Sequence, residues 1–143
     1  MGIDIPSLQG KVVFLEFFGH RCPPCLMSIP HLIELQKKHQ DKLAIISIEV
    51  QGMEQKDLKD FIAEKGINYT VASEADARLL TNYIATRAEW NGSIPFMVAM
   101  NTKGEVQFVQ AGMLPPEYLE ELFVQLSPKE PSQTKSEDVN TSK

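Results

Sequence analysis

Cysteine is scarce in this chain. Cys22 and Cys25 are all it has, too few for the disulfide framework that holds small secreted domains together. Basic charge is short as well: Lys and Arg number 14 against 19 Asp and Glu, a formal net charge of -5, whereas a phosphate-binding surface concentrates Lys and Arg on one face. Long apolar runs are missing. Stretches such as Ile94 to Met100 fall far below the roughly 20 residues that cross a bilayer. The start has no basic segment leading into an apolar one, so no export signal or anchor is expected within this stretch. Met1-Gly2 is followed by Pro6 where a myristoylation signal wants Ser or Thr. No internal repeat is visible, and tryptophan occurs once, at Trp90.

What is present suits one folded unit. A chain of 143 residues with 43% hydrophobic content can bury one substantial core and is too short for a second full domain. Lys11 to Phe18, rich in Val and Phe, has the pattern of a strand covered on both faces. From Pro23, apolar residues at Leu26, Ile29, Leu32, Ile33 and Leu35 follow one helix face as far as about His39. Pro23 and Pro24 fall in the first turn, where a missing N–H is tolerated, but Pro30 lies inside and predicts a kink, because it removes the bond to the Leu26 carbonyl. Leu43 to Val50 reads as a second buried strand, which makes a βαβ unit.

A helix is expected from about Glu54 to a stop at Gly66, which suits the left-handed position past a helix end. Tyr69 to Val71 is a short strand. Glu74 to Ala85, with Ala75, Leu79, Leu80 and Tyr83, reads as another helix, and Arg87 to Ser93 as a polar loop. Phe96–Met100 and Glu105–Gln110 flank the hairpin signal Asn101 to Gly104. A last helix after Pro115-Pro116 buries Leu119, Leu122, Phe123 and Leu126. Past Leu126 the composition turns polar. The expected division is a folded domain over 3–126 and a disordered tail over 127–143.

Cys22-Pro23-Pro24-Cys25 sits between the first strand and the first helix. Two intervening residues keep the sulfurs close enough for a small disulfide ring. With Cys22 as N-cap, its sulfur meets the unpaired N–H groups of the helix and the positive end of its dipole, while Cys25 lies one turn in and deeper. Thiolate is favoured at the first position, so Cys22 reads as the attacking thiol and Cys25 as the resolving one. Half of a zinc site, or two core cysteines, are the other readings. A structural zinc needs four ligands, and His31 and His39 are eight apart where a finger-type pair is three to five. His31, His39 and the methionines read as surface and core residues.

The order strand, Cys22-Pro23-Pro24-Cys25, Pro30-containing helix, strand, then Ile94-Pro95 before a hairpin and a final helix resembles the thioredoxin superfamily. The approach from Lys11 to Phe18, the run from Cys22 to Pro30 and the extra helical segment before the Pro95 loop are most similar to TlpA-like bacterial thiol-disulfide oxidoreductases. That resemblance implies an α/β, three-layer thioredoxin-like fold whose central mixed sheet is flanked by helices. It implies a cis peptide before Pro95 facing the cysteines, with the backbone of Ile94 free to pair with an extended substrate segment; a plain loop-to-strand boundary is the other reading. Glu16 shares a strand face with Val12, Phe14 and Phe18, and it matches the place of a buried acid in such proteins. Buried, its carboxyl would have a raised pKa and could carry the Cys25 proton; at an exposed sheet end it would do neither.

Arg21 replaces the usual Trp, and with His20 is either a cation beside Cys22 or part of a solvated loop. Ser28 stands where some relatives serving cytochrome c maturation carry Glu, which weakens that substrate. The loop from Thr86 to Asn91 is longer than the family's link and is expected to overhang the site, with Trp90 either touching substrate or packed over its own loop. Gly112 resembles a family glycine that allows close partner approach.

The resulting expectation is an enzyme, a thiol-disulfide oxidoreductase, acting as a periplasmic reductase of partner-protein disulfides, with the cytoplasm as the other location. Catalytic residues are Cys22, Cys25 and Glu16; substrate contacts are Arg21, Pro23, Pro24, Trp90, Ile94, Pro95 and Gly112. It calls for no cofactor and no metal. Expected partners are protein thiols or disulfides and a redox partner protein, not nucleic acid, and the chain is expected to act as a monomer. The alternatives are a disulfide-introducing oxidase and, in a different class, a copper- or zinc-binding chaperone of the same fold.

Overall fold

In the computed structural model, which describes residues 8–128, the first strand, β1 (Val12–Phe18), is buried at every position. That follows from its apolar run, which leaves no face for water. Helix α1 (Pro23–Lys38) carries the chain to β2 (Leu43–Glu49), which pairs parallel to β1 and closes the predicted βαβ unit. Helix α2 (Gln55–Lys65) leads to β3 (Thr70–Ser73), parallel to β2. Helix α3 (Arg78–Ala88) precedes β4 (Phe96–Met100) and β5 (Val106–Ala111). The hairpin of these two strands runs antiparallel, and β4 is also antiparallel to β1. The last element among the described residues is helix α4 (Pro116–Leu126). The sheet order is β3-β2-β1-β4-β5, a mixed sheet with β1 at its centre.

Alternation along β1 divides the core. Val13, Leu15 and Phe17 pack with Ile46, Ile48 and Ile84 on the α3 side, whereas Val12 and Phe14 meet Leu32 of α1 and Leu119 of α4 on the other. Helices on both faces give the expected three layers. On the α1 side the strands turn polar toward their C-terminal ends. Glu16 follows Phe14 and lies opposite Ser47, and Glu49 lies opposite Phe18.

Several boundaries differ from the sequence reading. Helix α1 is not among them: it spans Pro23–Lys38 with His39 as its C-cap and an exposed Pro30 inside it. Gly66 caps α2 at φ 69°, ψ 31°, as predicted. Tyr69 is buried just ahead of β3, not in it. The largest correction concerns α3, which begins at Arg78; Glu74 to Ala77 form a turn in which the Asp76 N–H donates to Ser73 Oγ. Its buried face is Ala77, Thr81, Ile84 and Ala88, with Leu79 70% exposed and Tyr83 49% exposed. The short side chains of Ala77 and Ala88 let the helix lie close to the sheet, and Tyr83 instead stacks with the Arg87 guanidinium at 3.5 Å. Leu79 and Tyr83 line a cavity of about 610 Å³ with Leu8, Met100 and Lys103, apart from the cysteines. Arg87 and Ala88 belong to this helix, so the loop starts at Glu89. Residues 3–7 of the expected domain and 129–143 of the expected tail lie outside the described residues.

Candidate active site

The sharp change from β1 to α1 places the cysteines. Cys22 is the N-cap of α1 with extended backbone, φ -112° and ψ 104°, and its Sγ accepts the Cys25 N–H at 3.3 Å. Its carbonyl accepts the Leu26 N–H at 3.0 Å, the first bond of the helix. Pro23 and Pro24 fill the first turn and are exposed. The two cysteines are joined in a disulfide with Cα atoms 5.2 Å apart. Both pack against Phe18, Ile29 and Phe61, and Cys25 is the more buried, 1% against 6% exposed.

Glu16 lies under this end of the sheet and is 4% exposed. The exposed-sheet-end reading is thereby excluded. Loss of water pushes its carboxyl up to about 8, and the Ser47 hydroxyl, donating to Glu16 Oε1 at 3.3 Å, offsets only part of that. Tyr69 is held above the ordinary tyrosine range by burial first and by the Glu16 charge second. A cavity of about 10 Å³, the size of a single water, is lined by Glu16, Ser28, Met97 and Gly112. Ser28 is buried and its hydroxyl donates to the Pro24 carbonyl at 3.2 Å.

The Ile94–Pro95 peptide is cis. Ile94 packs against both the α3-side core and the cluster that holds the cysteines. The Pro95 carbonyl accepts the Gly112 N–H at 2.8 Å, and Gly112 has φ 95°, a conformation that excludes most other residues. Arg21 is exposed, and its backbone N–H donates to Gln51 Oε1 at 2.8 Å.

Trp90 shares the α3-side cluster with Ile94 and Phe96, the two residues that flank Pro95. Its ring stacks on Phe17 with centroids 4.0 Å apart, and its Nε1 donates to the Ser93 carbonyl at 2.7 Å. Trp90 thus packs, half-buried, with the α3-side core and is tied to its own loop. His39 stacks on Phe123 and pairs with Glu120 at 3.0 Å. Among the described residues no group of three or more His, Cys, Asp or Glu is placed to hold a metal ion, and no helix is long and apolar enough to cross a membrane.

The sequence reading missed Ser47, Tyr69, Glu49 and Gln51. Ser47 and Glu49 interrupt an otherwise apolar strand at alternate positions, on the face that Glu16 occupies. That alternation was the available signal.

The AhpC/TSA family model matches residues 2–109. Thiol-disulfide oxidoreductase ResA of Bacillus anthracis is 27% identical over 127 residues, covering 88% of this chain and 69% of that protein. A thiol:disulfide interchange protein of the thioredoxin family from Chlorobium tepidum TLS superposes with a TM-score of 0.74 at 24% identity, over 87% of this chain and 85% of that one. A secreted Mycobacterium tuberculosis disulfide oxidoreductase superposes with a TM-score of 0.68 at 22% identity, over 87% and 88%. The structural likenesses establish a thioredoxin-like fold. With that fold, a cysteine pair joined at the start of α1 and the match over most of its length, the chain belongs to the AhpC/TSA family, as a thiol-disulfide oxidoreductase.

Proposed function

We propose that this protein reduces disulfides in partner proteins, with Cys22 attacking and Cys25 resolving. The observation that carries the reading is the asymmetry of the pair: Cys22 caps α1 with its sulfur on an N–H of the first turn, and Cys25 is sealed beneath it. In the reduced protein, Cys22 thiolate attacks one sulfur of the partner's disulfide. A mixed disulfide forms and the partner's other sulfur leaves as thiolate. Cys25 then gives up its proton and attacks the Cys22 sulfur, which re-forms the Cys22–Cys25 bond and releases the second partner thiol. A redox partner protein returns two electrons to the pair.

Glu16 is suited to take the Cys25 proton, because a carboxyl raised to about 8 can both accept and return a proton near neutral pH. Ile94 and Pro95 form the ledge for an extended partner segment, bordered by the exposed Arg21, Pro23 and Pro24, with Gly112 keeping the approach open. Trp90 supports the ledge from behind through Phe17. The reading places the protein outside the cytoplasm, in the periplasm, a location in keeping with the secreted structural neighbour, and as a monomer.

Equilibration with glutathione buffers tests the direction. A potential near roughly -270 mV is expected, and one near roughly -120 mV would instead mark an oxidase. Cys25→Ser is expected to trap partners as mixed disulfides on Cys22; trapping none, in a folded variant, would reverse the assignment of the attacking thiol.

A further inference from the structure

Three consecutive backbone N–H groups precede the attacking sulfur, and each has a partner. The Cys22 N–H donates to the Gly19 carbonyl at 3.2 Å. The Arg21 N–H donates to Gln51 Oε1 at 2.8 Å, and the His20 N–H to Glu49 Oε2 at 3.1 Å. Glu49 is 1% exposed, yet its carboxylate is fully engaged. Oε2 also pairs with His20 Nδ1 at 2.6 Å, and Oε1 accepts the N–H groups of Gln51 at 3.1 Å and Met53 at 3.0 Å. Burial works to raise its pKa, but the bonds from His20 and Met53 and the attraction of the His20 ring outweigh that and lower it. Gln51 packs so tightly on Gly19 that a Cβ there would collide with its side chain. A buried carboxylate that takes no part in the exchange thus ties the loop before Cys22 to the segment after β2.

We propose that Glu49 and Gln51 are positioning residues for thiol-disulfide exchange, pinning Gly19 to Arg21 so that Cys22 stays in the N-cap conformation that stabilises its thiolate. The inference rests on the reading of Cys22 as the attacker. An N-cap side chain meets the unpaired helix N–H groups only while its own backbone is extended. Releasing the three residues ahead of it lets that geometry relax, and the thiolate loses part of its stabilisation. The titratable side chains on the elements that carry the pair or pack against it include Glu16 on β1, His20 and Arg21 on the loop, Glu49 on β2, Tyr69 in the field of Glu16, and Lys65 over the Phe61 ring that packs on both cysteines. The charge of Glu49 acts in the opposite sense to its positioning, since a nearby anion disfavours a thiolate. Position and charge therefore predict shifts of opposite sign.

The test is the rate of iodoacetamide alkylation of the reduced full chain as a function of pH, with the labelled cysteine mapped by peptide mass. Glu49→Gln and the charge-neutral Gln51→Met are both expected to move the alkylation midpoint to higher pH. At pH 7 each should slow labelling of Cys22 by about 3- to 10-fold. A loss of stability alone leaves the midpoint of the folded protein where it was. An unchanged or lowered midpoint in Gln51→Met overturns the proposal while the attacking role of Cys22 stands. A lowered midpoint in Glu49→Gln means that its carboxylate acts by charge alone, and removes Glu49 from the proposal. Should Glu49→Gln not fold, Gln51→Met decides, since it deletes one acceptor from a half-buried side chain. Labelling of the parent protein at Cys25 overturns both readings at once.

Discussion

Glu16 is the residue whose chemistry depends most on its depth. In the unfolded chain its carboxyl titrates near 4.5, and in the folded protein near 8. Between those values the unfolded chain has lost the proton while the folded one keeps it, so folding loses stability as pH rises, and the deficit is complete above about pH 8. Glu16→Gln carries no such deficit. It is expected to match the parent below pH 4.5 and to exceed it by about 3 kcal/mol at pH 7, as read from urea unfolding across pH. The same change should slow release of partners from mixed disulfides and flatten the pH dependence of that step; an unchanged rate across pH would remove Glu16 from the proton path. The burial of Glu16 was legible from alternation along the first strand and from the family resemblance. Its partners were not, because Ser47 lies 31 residues away and reaches it only through the register of β1 on β2.

Elements whose periodicity was strong came out close to their expected bounds, and α3 shows why others slipped. Leu79, Leu80 and Tyr83 offered an apolar stripe, but packing buries Ala77, Thr81, Ile84 and Ala88, keeps only Leu80 of the stripe partly buried against the same core, and leaves Leu79 and Tyr83 exposed; the small residues at the contact let the helix lie close to the sheet. Helix α1 illustrates the opposite case, an element that keeps its expected span with a proline inside it. Its buried face of Cys25, Ile29, Leu32 and Leu35 keeps it continuous across Pro30. Since Pro30 is exposed, and an interior proline both withholds a backbone donor and crowds the carbonyl four residues back, Pro30→Ala is expected to stabilise the protein by about 1–3 kcal/mol. Chemical denaturation measures it, and a loss of stability would mean that the proline ring itself is a packing contact.

At the scale of the molecule, β1 belongs to both cores, so neither face of the sheet can open without uncovering it. Trp90 stacks on Phe17 and reports the α3 side, while far-ultraviolet circular dichroism reports α1 to α4 together. The two signals are expected to give one coincident urea midpoint; separate midpoints would mean that the faces unfold independently. The same strand end organises the chemistry, since Phe18 packs against the cysteines on the face that Glu16 shares.

The sequence by itself determined the alternation of strand and helix, the capping position of Cys22, the left-handed stop at Gly66 and the hairpin before the last helix. Those features follow from local periodicity and from the backbone limits of proline and glycine, which act over a few residues. Only the tertiary structure decided how deep Glu16 lies, that Glu49 and Gln51 hold the loop ahead of Cys22, and that Trp90 turns inward onto Phe17. These depend on strand register and close packing between residues far apart in the chain, and no local pattern carries them.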